Sequence, residues 1–593
     1  MVRSSFFGLE IGRTGLTTAQ FGLDVTGHNI ANLDTDGYTR QRVVSSAYDP
    51  YSTIGKFAPV NQALVGGGVR IQILDQIRSA YLDRKFRDEN GSHAFWETRS
   101  QSLSYVRSFF DNVNEKTSIN YTLAAFFESM TKIAADPVSG APRTLMQTAA
   151  MDLVQQLNMV YEGLIDFQKV ENHAIETKIG DVNTMAKDIA ALNVAIYTFE
   201  ITGLIANDLR DKRNLLIDKL ATYIDIEYEE YPDKFGASML RIRTAGDTLV
   251  DHDWPKSDVF GLALTNNELP GEEQVWTPYW LNRVNNDPTS PNYFDPRNPD
   301  PDMLEGAKLN MNLIVGGQLK AHFGMRDGIG GTVDGRDKGI PYYIEMINDL
   351  ARALVQEINT VHREGWSDNP TGSKTGINFF HEDNAWVTWV NSDATVTYEW
   401  DADLGVWTDG VNIITRDPDT GAFVDGAGVP ITGLTRRLDV SQITGRNITL
   451  SQDIQDSQYN IAASNEQIGV ASVGNPTELQ RGNNENMLEL YKLFSKTTIT
   501  VEGRQIGSLD EYCTTIRFDV GVTMHTAEQA KETARILTLA ADNQRTAIAG
   551  VSLDEEMVGL VRYNHAYNGA ARVITAMDDA LDRLINGTGR VGL

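Results

Sequence analysis

The sequence predicts an α+β multidomain protein with paired N- and C-terminal coiled-coil helices, a helical-bundle layer, and outer, mainly β domains inserted in the middle. Three observations carry that expectation. Apolar residues recur at alternating three- and four-residue steps at both chain ends, helical periodicity runs from about residue 73 to 225, and short alternating stretches replace it after Ile224.

A chain of 593 residues exceeds one ordinary hydrophobic core and divides into several domains. With 41% hydrophobic and 22% charged residues it has the composition of a folded protein. Its net charge of -28 repels a phosphate backbone, so nucleic acid and acidic membrane surfaces are poor partners. Cys513 is the single cysteine, which excludes an intrachain disulfide and a multi-cysteine zinc site. The first ten residues lack the apolar core and cleavage site of a secretory signal, and no run approaches the roughly 20 apolar residues of a membrane span.

At the C-terminal end Leu553, Leu560, Tyr563, Tyr567, Ala570, Ile574, Met577, Leu581 and Leu584 form a coiled-coil seam, with Glu556 its one break. The helix they predict is roughly 48 Å long and stops at Asn586-Gly587. At the N-terminal end Ser5, Leu9, Gly12, Leu16, Ala19, Leu23, Thr26 and Ile30 alternate large with small residues over roughly 40 Å. Small positions let another helix approach closely, so the two ends are expected to pair. An amphipathic end helix can instead cover only its own domain's core. Two features favour pairing and further assembly: both ends carry a seam, and Gly8, Gly15, Gly22 and Gly27 fall outside the N-terminal stripe, free for further neighbours.

Within the helical stretch Leu123, Phe126, Phe127 and Met130 mark one apolar face and Leu153, Leu157, Val160 and Leu164 another, with a break at Asp136-Pro137. The pattern continues through Leu215, Leu216 and Leu220. After Ile224, Ile226 with Tyr228 and Leu240 with Ile242 read as strands, and five prolines between Pro288 and Pro301 mark a loop. A helix is predicted over 342–362, with Ile344, Ile347, Leu350, Leu354 and Ile358 on one face. Strands follow at 387–390, 395–400 and 411–415, and from about Glu485 the chain is expected to be helical almost to its end. The division that results is residues 1–50 with 545–593 as a terminal coiled-coil assembly domain; 51–225 with 335–365 and 460–544 as a helical domain; and 226–334 and 366–459 as β-rich inserts.

Catalytic and ligand-binding patterns are thin. Walker, H-E-x-x-H and G-x-S-x-G motifs are absent. Ser129-Met130-Thr131-Lys132, Ser367-Asp368-Asn369 and Lys374-Thr375-Gly376 match three motifs of penicillin-binding enzymes, but the last two are nearly adjacent, unlike that active site. Gly328, Gly330 and Gly331 lack the final glycine of a dinucleotide fingerprint, Val333 standing there. Asp417-Pro418-Asp419-Thr420-Gly421 opens like a calcium loop, yet Gly428 occupies the place of the bidentate Glu, so a hairpin turn is the better reading. The nine histidines form no i, i+4 pair, and Cys513 has no activating base near it in sequence. Trp386, Trp389, Trp400 and Trp407 suit packing in a small sheet, with ligand binding as the other reading. No catalytic residue, metal or cofactor is expected.

The first helix ends in Asn29-Ile30-Ala31-Asn32-Leu33-Asp34-Thr35-Asp36-Gly37-Tyr38-Thr39-Arg40-Gln41. This resembles the N-terminal signature of flagellar rod, hook and hook-associated proteins, and Thr39-Arg40-Gln41 is closest to the hook-associated protein 1 family. Asp36 departs from it, standing where proline is common. Gly550-Val551-Ser552-Leu553-Asp554-Glu555-Glu556-Met557, with Tyr563, Tyr567, Ala570 and Arg572 beyond, is similar to the same family. Shorter matches at Ala135-Asp136-Pro137, Asn207-Asp208-Leu209-Arg210-Asp211, Val361-His362-Arg363-Glu364-Gly365 and Gly482-Asn483-Asn484-Glu485-Asn486 extend the resemblance through the helical layer, though not into the β inserts.

The resemblance implies a structural subunit between hook and filament, exported unfolded through the flagellar type III apparatus to the extracellular flagellum. Its implied partners are further copies in a homo-oligomeric ring, the hook protein, a second hook-associated junction protein and an export chaperone. The assembly residues expected are Leu9, Leu16, Leu23, Ile30, Asn32, Gly37, Tyr38, Leu553, Leu560, Tyr567, Ile574 and Leu581. A hook or rod-type axial protein, and an adhesin-like role of the β inserts, are the alternatives.

Overall fold

The structure, a computed structural model, describes residues 6–48, 66–111, 118–203, 205–233, 238–266, 270–271, 274–331, 337–370, 373–381, 387–390, 396–401, 406–409, 411–416, 423–426, 429–431, 434–438, 440–468, 482–501 and 503–587. Ser5, Val333, Trp386, Gly428 and the 417–421 run lie outside these, as does the Trp400 side chain.

The chain begins with α1 (Phe7–Ala31) and turns into an antiparallel hairpin of β1 (Gln41–Ala47) and β2 (Val69–Gln76). A helical layer follows: α2 (Ala80–Phe110), α3 (Ile119–Ala135), α4 (Gly140–Glu200) and α5 (Asn207–Tyr223). Asp136 caps the C-terminus of α3, where the sequence places its break. Ser118 opens the same helix, its hydroxyl accepting from the Tyr121 amide at 3.3 Å. The face marked at Leu153 to Leu164 belongs to a single 61-residue helix, with no proline or glycine pair to break it after its first turn.

Past α5 the chain makes β3 (Glu227–Pro232), β4 (Ser238–Thr244) and β5 (Asp247–Asp251) as one sheet, and β6 (Phe260–Asn266) with β7 (Gln274–Trp280) as another, all antiparallel. Short helices α6 (Pro301–Ala307) and α7 (Gln318–Asp327) lead into α8 (Ile340–Glu364), which begins on a proline in its first turn. The two-residue β8 (Trp366–Ser367) precedes a six-stranded antiparallel sheet of β9 (Val387–Val390), β10 (Thr397–Asp401), β11 (Val406–Thr408), β12 (Ile413–Arg416), β13 (Phe423–Asp425) and β14 (Thr435–Leu438), ordered β13-β12-β11-β10-β9-β14. Trp389, Trp407 and Phe423 pack on one another there, Trp389 and Phe423 with ring centroids 4.3 Å apart.

The return path holds α9 (Gln452–Asp456), β15 (Ala462–Ser464) paired with β8, α10 (Glu485–Lys492), a hairpin of β16 (Ile499–Val501) and β17 (Arg504–Gly507), then α11 (Leu509–Ala549) and α12 (Leu553–Asp582). That hairpin corrects the expectation of unbroken helix after Glu485: Ile499 and Val501 are fully buried against the helical core, a demand that strand geometry meets with alternate residues.

Two main cores lie along α4. The first gathers α2, α3, the front of α4, α8, the 443–461 return and α11; the second gathers the rear of α4, α5, β3 to β7 and α7. A polar layer on α4 marks their boundary. Glu171 accepts from Ser102 Oγ at 2.6 Å and bonds His322 Nδ1 at 2.6 Å, Gln168 donates to the Arg326 carbonyl at 2.8 Å, and Asn172 accepts from the Trp276 amide at 2.9 Å. α11 lies along α2, burying Cys513, Val520, Ala527, Ala534 and Ala541 at heptad spacing. Burial pushes the Cys513 thiol well above its ordinary pKa, consistent with an inert core residue.

Candidate assembly site

The chain ends meet. α1 and α12 pack antiparallel along most of their lengths, and the glycines of α1 make this possible. A β-carbon placed on Gly8 would come within 2.4 Å of Met577, on Gly12 within 2.7 Å of Ile574, and on Gly22 within 2.5 Å of the Tyr563 ring. One on Gly15 would sit 3.6 Å from Ala570 Cβ, and Gly559 faces Thr26. Gly8, Gly15 and Gly22 therefore form the contact with α12, which corrects the expectation that they are left for other neighbours; Gly27 meets nothing within 4 Å. Bulky residues on one helix require the absence of side chains on the other.

The large residues of α1 flank this stripe. Leu9, Leu16, Leu23 and Ile30 are partly buried, whereas Gly12, Ala19, Gly22, Val25, Thr26 and Asn29 are buried. On α12, Leu560, Tyr563, Tyr567, Ala570, Ile574, Met577 and Leu581 are partly covered, as their spacing predicts, while Leu553 and Leu584 are exposed. One α12 residue among those described is buried, and it is Glu556.

Glu556 sits in a polar knot at the C-terminal end of α1. Arg40 Nε donates to Glu556 Oε1 at 2.7 Å, and Arg40 also bonds Glu555. Burial works against the Arg40 charge, but those two carboxylates outweigh it and hold its pKa above the ordinary value. Asn29 Nδ2 donates to Glu556 Oε2 at 3.1 Å and to the Gln41 carbonyl at 2.9 Å, while Asn29 Oδ1 accepts from the Gln41 amide at 3.1 Å and Tyr38 Oη at 2.7 Å. Burial, reinforced by Asp208, Asp211 and Glu556, pushes the Tyr38 phenol upward, so it stays a donor.

The turn between helix and strand uses the remaining signature residues. Asn32 caps α1 and donates to the His28 carbonyl at 3.0 Å. Gly37 has φ of +76°, where only glycine is free of strain, and its α-carbon faces Leu215. Beyond it the Thr39 amide donates to Asp211 at 3.0 Å, Gln41 Nε2 to Asp208 at 2.9 Å and Gln76 Nε2 to Asp211 at 3.0 Å. The Arg40 amide reaches the Ala549 carbonyl at 2.9 Å. The knot thus joins α1, β1, β2, α5, α11 and α12.

Glu556, Asn29, Arg40 and Gln41 were not among the expected assembly residues. Two linear signals touch them: all four lie in the signature runs 29–41 and 550–557, and Glu556 stands seven residues before Tyr563, on a seam position where a charge needs a partner. Elsewhere, Ser129 lies inside α3 with its hydroxyl on the Phe126 carbonyl at 2.5 Å, and Ser367 Oγ accepts from the Lys374 amide at 3.0 Å, both backbone roles. Among the described residues there is no group of three metal-ligating side chains and no helix long and apolar enough to cross a membrane.

Three family models match the chain. The flagellar hook-associated protein FlgK helical domain covers residues 103–380, the flagellar basal body rod FlgEFG protein C-terminal model 543–587, and the flagella basal body rod protein model 9–39. The two rod models fall on the paired ends, and flagellar hook-associated protein 1 of Bacillus subtilis is 25% identical across 99% of both chains. Over its whole length the chain is similar to the flagellar hook-associated protein 1 family. The Salmonella typhimurium member is 24% identical over 97% of this chain and 98% of its own length, and the Escherichia coli K12 member 22% over the same shares. The solved flagellar hook junction protein FlgK from Burkholderia pseudomallei superposes with a TM-score of 0.51 over 79% of this chain and all of that one; at 12% identity this likeness speaks for the fold alone. The family is a structural component of the bacterial flagellum that forms the hook–filament junction.

Proposed function

We propose that this chain is a non-catalytic subunit of a homo-oligomeric ring between hook and filament, assembled through its paired terminal helices. The carrying observation is that α12, thirty residues long, buries only Glu556 although its seam residues are large and apolar. Each such side chain contributes roughly 1.5–3 kcal/mol when fully buried, so the pair gains most of its stability once neighbours cover it. Leu9, Leu16, Leu23 and Ile30 beside the glycine stripe, and Leu553, Leu560, Tyr567, Ile574 and Leu581 on α12, are the interface; Asn32, Gly37 and Tyr38 set the turn that holds it.

The ring's axial neighbours are the hook protein on one side and a second hook-associated junction protein on the other. An export chaperone masks α12 before secretion to the extracellular flagellum. Residues 1–50 with 545–593 form the assembly domain, 51–225 with 335–365 and 460–544 the helical domain, and 226–334 and 366–459 the outer inserts. Electron microscopy of cells lacking the gene, with flagellin assayed in the medium, tests the reading. Hooks without filaments and flagellin lost to the medium are expected; missing hooks would reassign the chain to rod or hook, and normal filaments would overturn the assignment.

A further inference from the structure

Both faces of the α1–α12 pair repeat every seven residues. Gly8, Gly15, Gly22 and Asn29 on α1 meet Met577, Ala570, Tyr563 and Glu556 on α12, in that order. Three of these four layers set glycine against an apolar side chain and are interchangeable in kind. Sliding α1 by one heptad, about 10 Å, would bring Gly15 to Met577 and Gly22 to Ala570 and keep glycine against an apolar side chain in both layers, while Asn29 would face Tyr563.

The chain connections hold the two helices unequally. α12 follows α11 after residues 550–552, and the Arg40 amide fixes the end of α11 through Ala549. α1 reaches β1 through residues 32–40, a segment that can extend by about 10 Å, since a residue spans up to ~3.5 Å. α1 also touches the β1–β2 hairpin, where Thr14 Oγ1 accepts from the Val69 amide at 3.4 Å, and its buried ties at the end nearest β1 are polar. Asn29 makes two hydrogen bonds to the Gln41 backbone, at 2.9 and 3.1 Å, and a third to Glu556, whose other oxygen takes Arg40. A single buried polar layer in a coiled coil specifies register because every slipped pairing leaves it unsatisfied.

We infer that Asn29 and Glu556 are the register-setting residues of the terminal helix pair: they fix which heptads of α1 and α12 face one another, and thereby which side chains the pair presents to neighbouring copies. The inference rests on the reading of that pair as the assembly site.

Cysteine pairs read the register in assembled flagella. Gly15→Cys with Ala570→Cys reports the observed register, because a β-carbon at residue 15 lies 3.6 Å from Ala570 Cβ, inside the roughly 3.5–4.5 Å that a disulfide needs. Gly15→Cys with Met577→Cys reports the slipped one. In the otherwise unaltered chain the first pair cross-links and the second does not; no cross-link from the first pair would overturn the pairing itself. In the Asn29→Ala, Glu556→Leu background, which continues the small-against-large pattern, the ratio of second to first cross-link is expected to rise at least about tenfold, the factor carried by one charge-assisted hydrogen bond. Glu556→Gln, which keeps an acceptor for Arg40 and Asn29, retains the first pair alone. An unchanged ratio in the double substitution would show that packing sets the register, and loss of both cross-links would show that the knot is needed for pairing; either overturns the inference.

Discussion

α8 and α12 are both long amphipathic helices with a clear apolar stripe in the sequence, and they end in opposite situations. α8 buries Ile344, Ile347, Leu350, Leu354 and Ile358 on its stripe, and Asp349, Arg352, Glu357 and His362 on its other sides as well. α4, α7, α10, α11, β16 and the start of the 443–461 return surround it. α12 packs mainly on α1, with Arg40 at one end, and keeps Val558 69% exposed. Periodicity therefore identifies the sticky face of a helix without saying whether its partner lies in the same chain. One helix is completed by folding; the other keeps much of its apolar surface open, which the proposed assembly would cover.

The largest expected effect on folding is at the centre of α8. Leu354 is fully buried, and Leu354→Ala is expected to destabilise the helical layer by about 2–5 kcal/mol, read as a lowered denaturation midpoint. A substitution at an apolar seam position of α12 with a loss of that size in the isolated chain would break the contrast.

A second test uses pH. His362 is wholly enclosed: its Nδ1–H donates to the Ile377 carbonyl at 2.8 Å and its Nε2 accepts from the Ala462 amide at 2.9 Å. Burial, against a smaller opposing effect of the first hydrogen bond, pushes its pKa down to about 4 from the ordinary 6.5. The unfolded chain takes up this proton at higher pH than the folded one. The stability it confers is thus fully present above pH 6.5 and falls through the window down to about pH 4, by about 3 kcal/mol. Denaturation midpoints of wild type and His362→Asn across that window should converge toward its acid end; parallel curves would count against the buried neutral ring.

Ile574→Asp separates the two helices most sharply. Ile574 meets Gly12 in the terminal pair, so the substitution is expected to abolish assembly and motility while moving the unfolding midpoint of the helical layer by less than about 1 kcal/mol. Motile cells carrying it would contradict the seam. The smallest effect belongs to Val558→Ala, whose stability change in the isolated chain should stay within about 0.5 kcal/mol because the side chain faces solvent.

Much of this arrangement is legible in the sequence for identifiable reasons. The α8 stripe, the Asp136 break, the strand at Val387–Val390 and the covered face of α12 all follow from local patterns of apolar residues and turn formers. The glycine contact of α1 was misassigned because glycine carries no hydrophobic signal of its own; its role is defined by the Met577, Ile574 and Tyr563 side chains that lie far along the chain. Glu556 looked like a defect in a seam, since the Arg40 and Asn29 that satisfy it are more than 500 residues away in sequence. The β16–β17 hairpin and the extra strand β11 are short, and tertiary pairing rather than propensity defines such pieces.

Amide hydrogen exchange on the dilute monomer and on assembled flagella tests the central claim directly. The account predicts that α8 is strongly protected in both, whereas α1 and α12 exchange quickly in the monomer and become protected on assembly. Strong protection of both end helices in the dilute chain would contradict it.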